Sequence, residues 1–164
     1  MQKNILDRKR DKMTADAQLI EHMMNPKNYG TMENADASGM GKNPTNGEKV
    51  AIHLKVEKQD DPRITDIAFQ AIGCTTTIVA GSIVTSEARD IHFSRAEELV
   101  STTLGMLENQ SPEDAACTEM VALALKAALD TYTEKQKDPD FSMFSYHIST
   151  DCTPKEEENN ETTV

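Results

Sequence analysis

Three cysteines, Cys74, Cys117 and Cys152, are the residues of this chain most able to do chemistry, and each has a different local setting. Cys74 lies in the run Ile72-Gly73-Cys74-Thr75-Thr76-Thr77, between a stretch of strand character and one of helix character. Gly73 permits a tight turn there, and the unpaired N–H groups of a helix start favour a thiolate. Metal ligation and sulfur transfer both need the thiolate, whereas a buried structural thiol is the plainer reading of the same residue. Cys117 falls on the stripe Cys117, Met120, Val121, Ala124, Ala128, whose helical spacing marks a core-facing surface, and Glu113 and Asp114 nearby oppose its ionisation. Cys152 follows His147 at a spacing loose enough to chelate, just ahead of an acidic tail. His53 and His92 are single histidines on a strand and a loop, read as surface or hydrogen-bonded residues. No close His/Cys ligand pair, Gly-rich phosphate loop or nucleophile elbow occurs.

The elements that must position these residues are legible from periodicity and stop signals. Thr14 caps a first helix whose Ala15, Leu19 and Met23 should lie on the core, until Asn25-Pro26 stops it. Tyr29 to Glu48 is rich in Gly, Asn, Asp and Pro and reads as a long loop, with Gly30 to Glu48 the most mobile interior part. Val50, Ile52, Leu54 and Val56 alternate with Ala51, His53, Lys55 and Glu57, the period of a strand with one buried face. The turn Gln59 to Pro62 leads to a second strand, Ile64 to Ile72, closing an antiparallel hairpin. Helices follow at Thr75 to about Arg89, Ser94 to about Glu108 and Pro112 to about Lys135. Ser94 with Glu97 and Ser111 with Asp114 have capping-box spacing, and Pro112 sits where a helix tolerates proline best. Strands first and helices after predict an α+β fold, a small antiparallel β-sheet with helices packed on one face.

A chain of 164 residues suits one domain, here 14–150, between a disordered N-terminus at 1–13 and an acidic disordered tail at 151–164. Aromatics are 4% of the chain and Trp is absent, so the core rests on aliphatic residues and nine Met. The formal net charge of −11 argues against nucleic acid as a partner. No apolar run is long enough to span a bilayer and no secretory signal opens the chain, so a cytoplasmic protein is expected. Lys3 to Lys12 raises a mitochondrial transit peptide, but Asp7 and Asp11 interrupt it and serines are lacking. An odd number of widely spaced cysteines points to reduced thiols.

The same residues, taken in order across roughly 17 to 133, resemble the IscU/NifU N-terminal iron–sulfur scaffold family. His22 to Gly30 (HMMNPKNYG) is similar to the family's opening signature. A loop with Asn43 to Glu48 (NPTNGE), the hairpin, Phe69 to Cys74 (FQAIGC) and a final cysteine-bearing helix, Cys117 to Tyr132, follow in family order. The resemblance implies that three cysteines and an aspartate converge at one end of the fold to hold a nascent [2Fe–2S] cluster or zinc. Cys74 matches the second of these cysteines and Cys117 the third. Asn46 stands where the first belongs, Glu48 replaces the aspartate, and Ala116 replaces an assisting histidine. The Leu-Pro-Pro-Val-Lys segment read by a dedicated chaperone is replaced by Gln110 to Asp114 (QSPED). One protomer therefore offers Cys74 and Cys117, Glu48 as an auxiliary oxygen, and Asn46 at best as a weak neutral ligand, for a [2Fe–2S] cluster or iron. A homodimer would double the thiolates, or Cys152 could fold back as a third. The implied role is a non-enzymatic scaffold or carrier, with a cysteine desulfurase as sulfur donor and apoproteins as recipients. Two alternatives stand beside it, a cluster-free protein docking to the desulfurase and a sulfurtransferase carrying persulfide on Cys74.

Overall fold

The computed structural model describes residues 17–149, so Thr14, Ala15, Cys152 and the proposed terminal tails lie outside the described residues. Its elements are helix α1 (17–24), strands β1 (Ala37–Lys42), β2 (Lys49–Glu57) and β3 (Arg63–Ile72), helices α2 (Thr75–Ala88) and α3 (Phe93–Gly105), a 3-10 turn at Leu107–Asn109, helix α4 (Pro112–Lys137) and strand β4 (Phe144–His147). The sheet order is β3-β2-β1-β4. The first three strands are antiparallel neighbours, while β4 pairs parallel with β1. The α+β expectation holds, with one parallel edge pair added to the antiparallel sheet.

The β2–β3 hairpin forms where alternation predicted it, and Val50, Ile52 and Leu54 turn to the helices and are fully buried. The helices cover that one face, α4 lying over β1 and β2 and α2 over β3. Phe69, Ile64, Ile67, Met120, Val121, Leu125 and Leu129 share the core between them. The opposite face carries Ser38, His53 and Gln70, linked across three strands by hydrogen bonds of 2.7 and 3.0 Å at the two ring nitrogens of His53.

Three expectations are corrected. The long loop from Tyr29 to Glu48 contains β1, an interior strand of the sheet, and Tyr29 and Gly30 bridge to Phe69 at the β3 edge. The segment is therefore pinned through much of its length. Its glycines are there for space: a Cβ on Gly39 would stand 2.1 Å from the amide nitrogen of Ala128, and one on Gly41 2.0 Å from the carbonyl oxygen of Met120. The α4 backbone rests directly on β1, and no side chain fits between them. Helix α1 does not lie on the core, since Leu19 and Met23 are 45% and 52% exposed. It is tied to the surface of α2 by a 2.6 Å hydrogen bond between His22 Nδ1 and Ser82 Oγ. Finally, Ser94 is not the cap of α3. The helix starts at Phe93, and Asp61 from the hairpin turn accepts from both the amide and the hydroxyl of Ser94, at 3.1 and 2.6 Å. Ser111 does cap α4, accepting from the Asp114 amide at 3.3 Å with Pro112 behind it.

The Gly41 contact generates a stability prediction. Gly41→Ala should cost about 3 kcal/mol or more in urea unfolding, because a backbone has to move. Gly105→Ala, where a Cβ meets nothing within 4 Å, should be nearly neutral. Equal midpoints for the two variants would contradict the close packing of α4 on β1.

Candidate functional site

The site is built where β3 ends and α2 and α4 begin. Cys74 is the residue before the first turn of α2, with φ −82° and ψ 177°, and its carbonyl accepts from the Thr77 and Ile78 amides at 3.1 and 3.3 Å. Gly73 ahead of it is required by space: a Cβ there would lie 3.0 Å from Thr77 Oγ1 and crowd a fully buried residue. Cys117 enters from α4, whose position along the sheet is set by the contacts of Met120 and Ala128 with β1. The result is a separation of 3.4 Å between Cys74 Sγ and Cys117 Sγ, although 43 residues separate them in the chain. Both thiols are free. Two sulfurs on one tetrahedral metal, each about 2.3 Å from it, stand about 3.8 Å apart, so the pair fits two of four ligand positions after a small movement.

The two thiols are electrostatically unequal. Partial burial works against the Cys74 thiolate, but the Thr77 amide, the Cys117 thiol, the Thr77 hydroxyl and the Thr76 amide outweigh it and hold its pKa below that of an ordinary thiol. Burial pushes Cys117 up to about 11; the Thr77 hydroxyl partly offsets this, while the neighbouring Cys74 and the Glu48 carboxylate add to it. Cys117 thus keeps its proton and donates it toward Cys74 Sγ. Thr77, with its hydroxyl 3.8 Å from Cys74 Sγ, serves both sulfurs. Sequence reasoning passed over it, and the signal was its place three residues after Cys74 at a helix start.

The remaining candidates divide plainly. Glu48 is close enough to disfavour a Cys117 thiolate, yet among the described residues no three His, Cys, Asp or Glu side chains converge to hold a metal ion. Asn46 is exposed at the tip of the β1–β2 turn, where its Oδ1 accepts from the Glu48 amide at 2.9 Å. Ala116 is 8% exposed, so a histidine in its place would have to displace its neighbours. His53 lies on the far face of the sheet, His92 precedes α3 with its Nδ1 2.9 Å from the Asp61 carbonyl oxygen, and His147 ends β4.

The inequality predicts two separate titrations. Only the thiolate is alkylated, so the iodoacetamide rate at Cys74 should reach half its maximum at a pH below that of a free thiol and fall as pH drops through that value. Cys117 should react appreciably only as pH approaches about 11. Cys117→Ala removes a donor and should move the Cys74 midpoint upward. Peptide mapping by mass spectrometry separates the sites, and coincident midpoints would contradict the assignment.

Comparison with known proteins supplies the family. Residues 14–139 match the model of the NifU-like N terminal domain. An iron–sulfur cluster assembly scaffold protein IscU of Archaeoglobus fulgidus is 34% identical over 121 residues, 71% of this chain and 75% of that protein. The protein of the same name from Escherichia coli is 28% identical over 128 residues, 76% of this chain and 98% of its own. Among solved structures, a candidate iron–sulfur cluster assembly scaffold protein for the SUF system from Fervidobacterium islandicum has a TM-score of 0.59 at 19% identity, covering 68% of this chain and 93% of that one. The N-terminal part of a NifU-like protein from Brucella abortus scores 0.52 at 15% identity, with 74% and 93% covered, and both share the fold. With a family match over most of its length, the chain belongs to the NifU-like N-terminal domain family.

Proposed function

We propose that this protein is a non-enzymatic iron–sulfur cluster assembly scaffold that takes up iron and sulfide, or a nascent [2Fe–2S] cluster, on Cys74 and Cys117. The observation that carries this reading is the pair of sulfurs 3.4 Å apart at the junction of β3, α2 and α4. The chemistry suits a carrier. Thiolates are soft ligands that select iron–sulfur clusters and zinc, and an exposed, readily ionised Cys74 makes first contact with a metal. Ligation of Cys117 then expels its proton, so loading should improve as pH rises. Glu48 is the auxiliary oxygen ligand, and Asn46 holds the turn that presents it.

The wider roles belong to the same proposal. A cysteine desulfurase would donate the sulfur, apoproteins would receive the cluster, and a homodimer would bring four thiolates to one cluster. Among the described residues no helix is long and apolar enough to cross a membrane. The exposed Cys74 with its lowered pKa also favours a second reading, a sulfurtransferase carrying persulfide on that residue.

Anaerobic reconstitution tests the proposal, reading iron and sulfide per chain with molecular mass. Cys74→Ser and Cys117→Ser should each lose most of the cluster bound by the wild type. Asn46→Cys should retain more cluster per chain, because a thiolate is added beside two existing ones. Negligible iron in the wild type and in Asn46→Cys alike would reject the scaffold reading. A +32 Da adduct on Cys74 without iron would favour the sulfurtransferase.

A further inference from the structure

Two thiols held 3.4 Å apart are placed to react with each other as well as with a metal. A separation of about 3 to 3.5 Å is that of a near-attack arrangement, in which a nucleophile has no further search to make for its target. The two sulfurs also differ in access. Cys74 is exposed and meets reagents from solvent, while Cys117 is 6% exposed and lies behind it. An accessible attacking sulfur backed by a sheltered second one is the arrangement in which a mixed disulfide is resolved within one chain.

The frame around the pair holds one sulfur and lets the other move. Cys117 rides on α4, whose backbone is seated on β1 at Gly39 and Gly41. The same helical turn is moored at Glu119, 4% exposed, whose Oε2 accepts from the amide and the hydroxyl of Ser149 at 3.0 and 2.7 Å. Hydrogen bonds to a buried carboxylate are among the stronger ones. Cys74 instead precedes α2, behind Gly73, and its side chain makes no capping hydrogen bond. A disulfide of about 2.05 Å asks the sulfurs to approach by about 1.4 Å, a distance that a change of side-chain torsion at Cys74 covers without moving either helix.

We propose that Cys74 and Cys117 form a reversible redox pair, oxidised by low-molecular-weight disulfides to an intrachain disulfide that no longer binds metal. The Cys74 sulfur attacks one sulfur of the reagent R–S–S–R, forming a mixed disulfide and releasing one RS−, which takes up the proton Cys74 has lost. Cys117 then attacks the Cys74 sulfur and expels the second RS−, to which its own proton passes. Two protein thiols thus give up two electrons and two protons, and the reagent becomes two RSH. The new sulfur–sulfur bond removes both anionic ligands at once, since metal binding needs thiolates. The disulfide stands on geometry, and its part as a switch rests on the scaffold reading, in which oxidation stops loading and reduction restores it. Exposed disulfides are the readily reduced kind, which suits a reversible device.

The test uses the full-length protein, reduced and freed of metal, treated anaerobically with oxidised glutathione. Mass spectrometry should show a chain lighter by two hydrogens, with the Cys74 and Cys117 peptides linked and no lasting glutathione adduct on Cys74. In Cys117→Ser the resolving sulfur is gone, so the adduct on Cys74 should persist on the order of tenfold longer or more. Cys74→Ser, a change at an exposed position, should leave Cys117 without adduct over the same time. The disulfide form should bind less than about a tenth of the Zn2+ held by the reduced form, and dithiothreitol should restore binding. A stable Cys74 adduct in the wild type, a main product linked through Cys152 or to a second chain, or equal Zn2+ binding before and after oxidation would each overturn the proposal. Protein that takes Zn2+ when reduced and loses it on oxidation, yet assembles no iron and sulfide, would reject the scaffold reading and leave the redox pair standing.

Discussion

The contact on which the rest depends is that of the α4 backbone with the backbone of β1. At Gly39 and Gly41 there is no room for even a Cβ, and the facing helix surface offers the small Ala124, Ala127 and Ala128 beside Met120. Contacts of this kind have no side chain that can rotate to absorb a shift, so the helix is fixed along the strand as well as above it. That axial placement decides where Cys117 falls. Three residues before Met120, it stands at the end of the sheet where β3 hands over to α2, within 3.4 Å of the other sulfur.

Placed there, two chemically identical side chains acquire opposite tendencies. Cys74 sits at a helix start, exposed, with the Thr76 and Thr77 amides and the Thr77 hydroxyl directed at its sulfur; Cys117 is buried to 6% exposure beside a carboxylate. In the scaffold function proposed above, one ready thiolate and one protonated thiol would give ligation an order, Cys74 before Cys117. A two-thiolate grip holds a metal less firmly than a closed four-ligand shell, which would suit a scaffold that hands on what it assembles.

Secondary structure was legible wherever a local rule governed it. Alternation along Val50 to Val56 marked β2, and Ser111-Pro112 marked the start of α4. The stripe from Cys117 to Ala128 identified the helix face that is indeed buried. Strand β1 was misread because Gly39 and Gly41 are turn formers by local statistics, while here they answer to a helix more than 75 residues further along the chain. Strand β4 has four residues and no strong pattern, and its partner lies about 100 residues earlier. Helix α1 was placed on the core from the spacing of Leu19 and Met23, yet both are about half exposed, and the helix is held to α2 by the polar contact of His22 with the buried Ser82.

The sequence by itself determined the type of chemistry: a thiol after Gly73 at a helix start, a second thiol on a helix stripe, and the absence of a cysteine at position 46 are all read residue by residue. It also determined the fold class, because alternation and capping are local properties with local causes. Tertiary structure alone decided that the two sulfurs meet, that Thr77 serves both, that Glu48 raises the cost of ionising Cys117, and that Ser149 is moored to Glu119. Those are distances between residues far apart in the chain, and they follow from how closely α4 can approach β1, a quantity set by packing in three dimensions that no local pattern encodes.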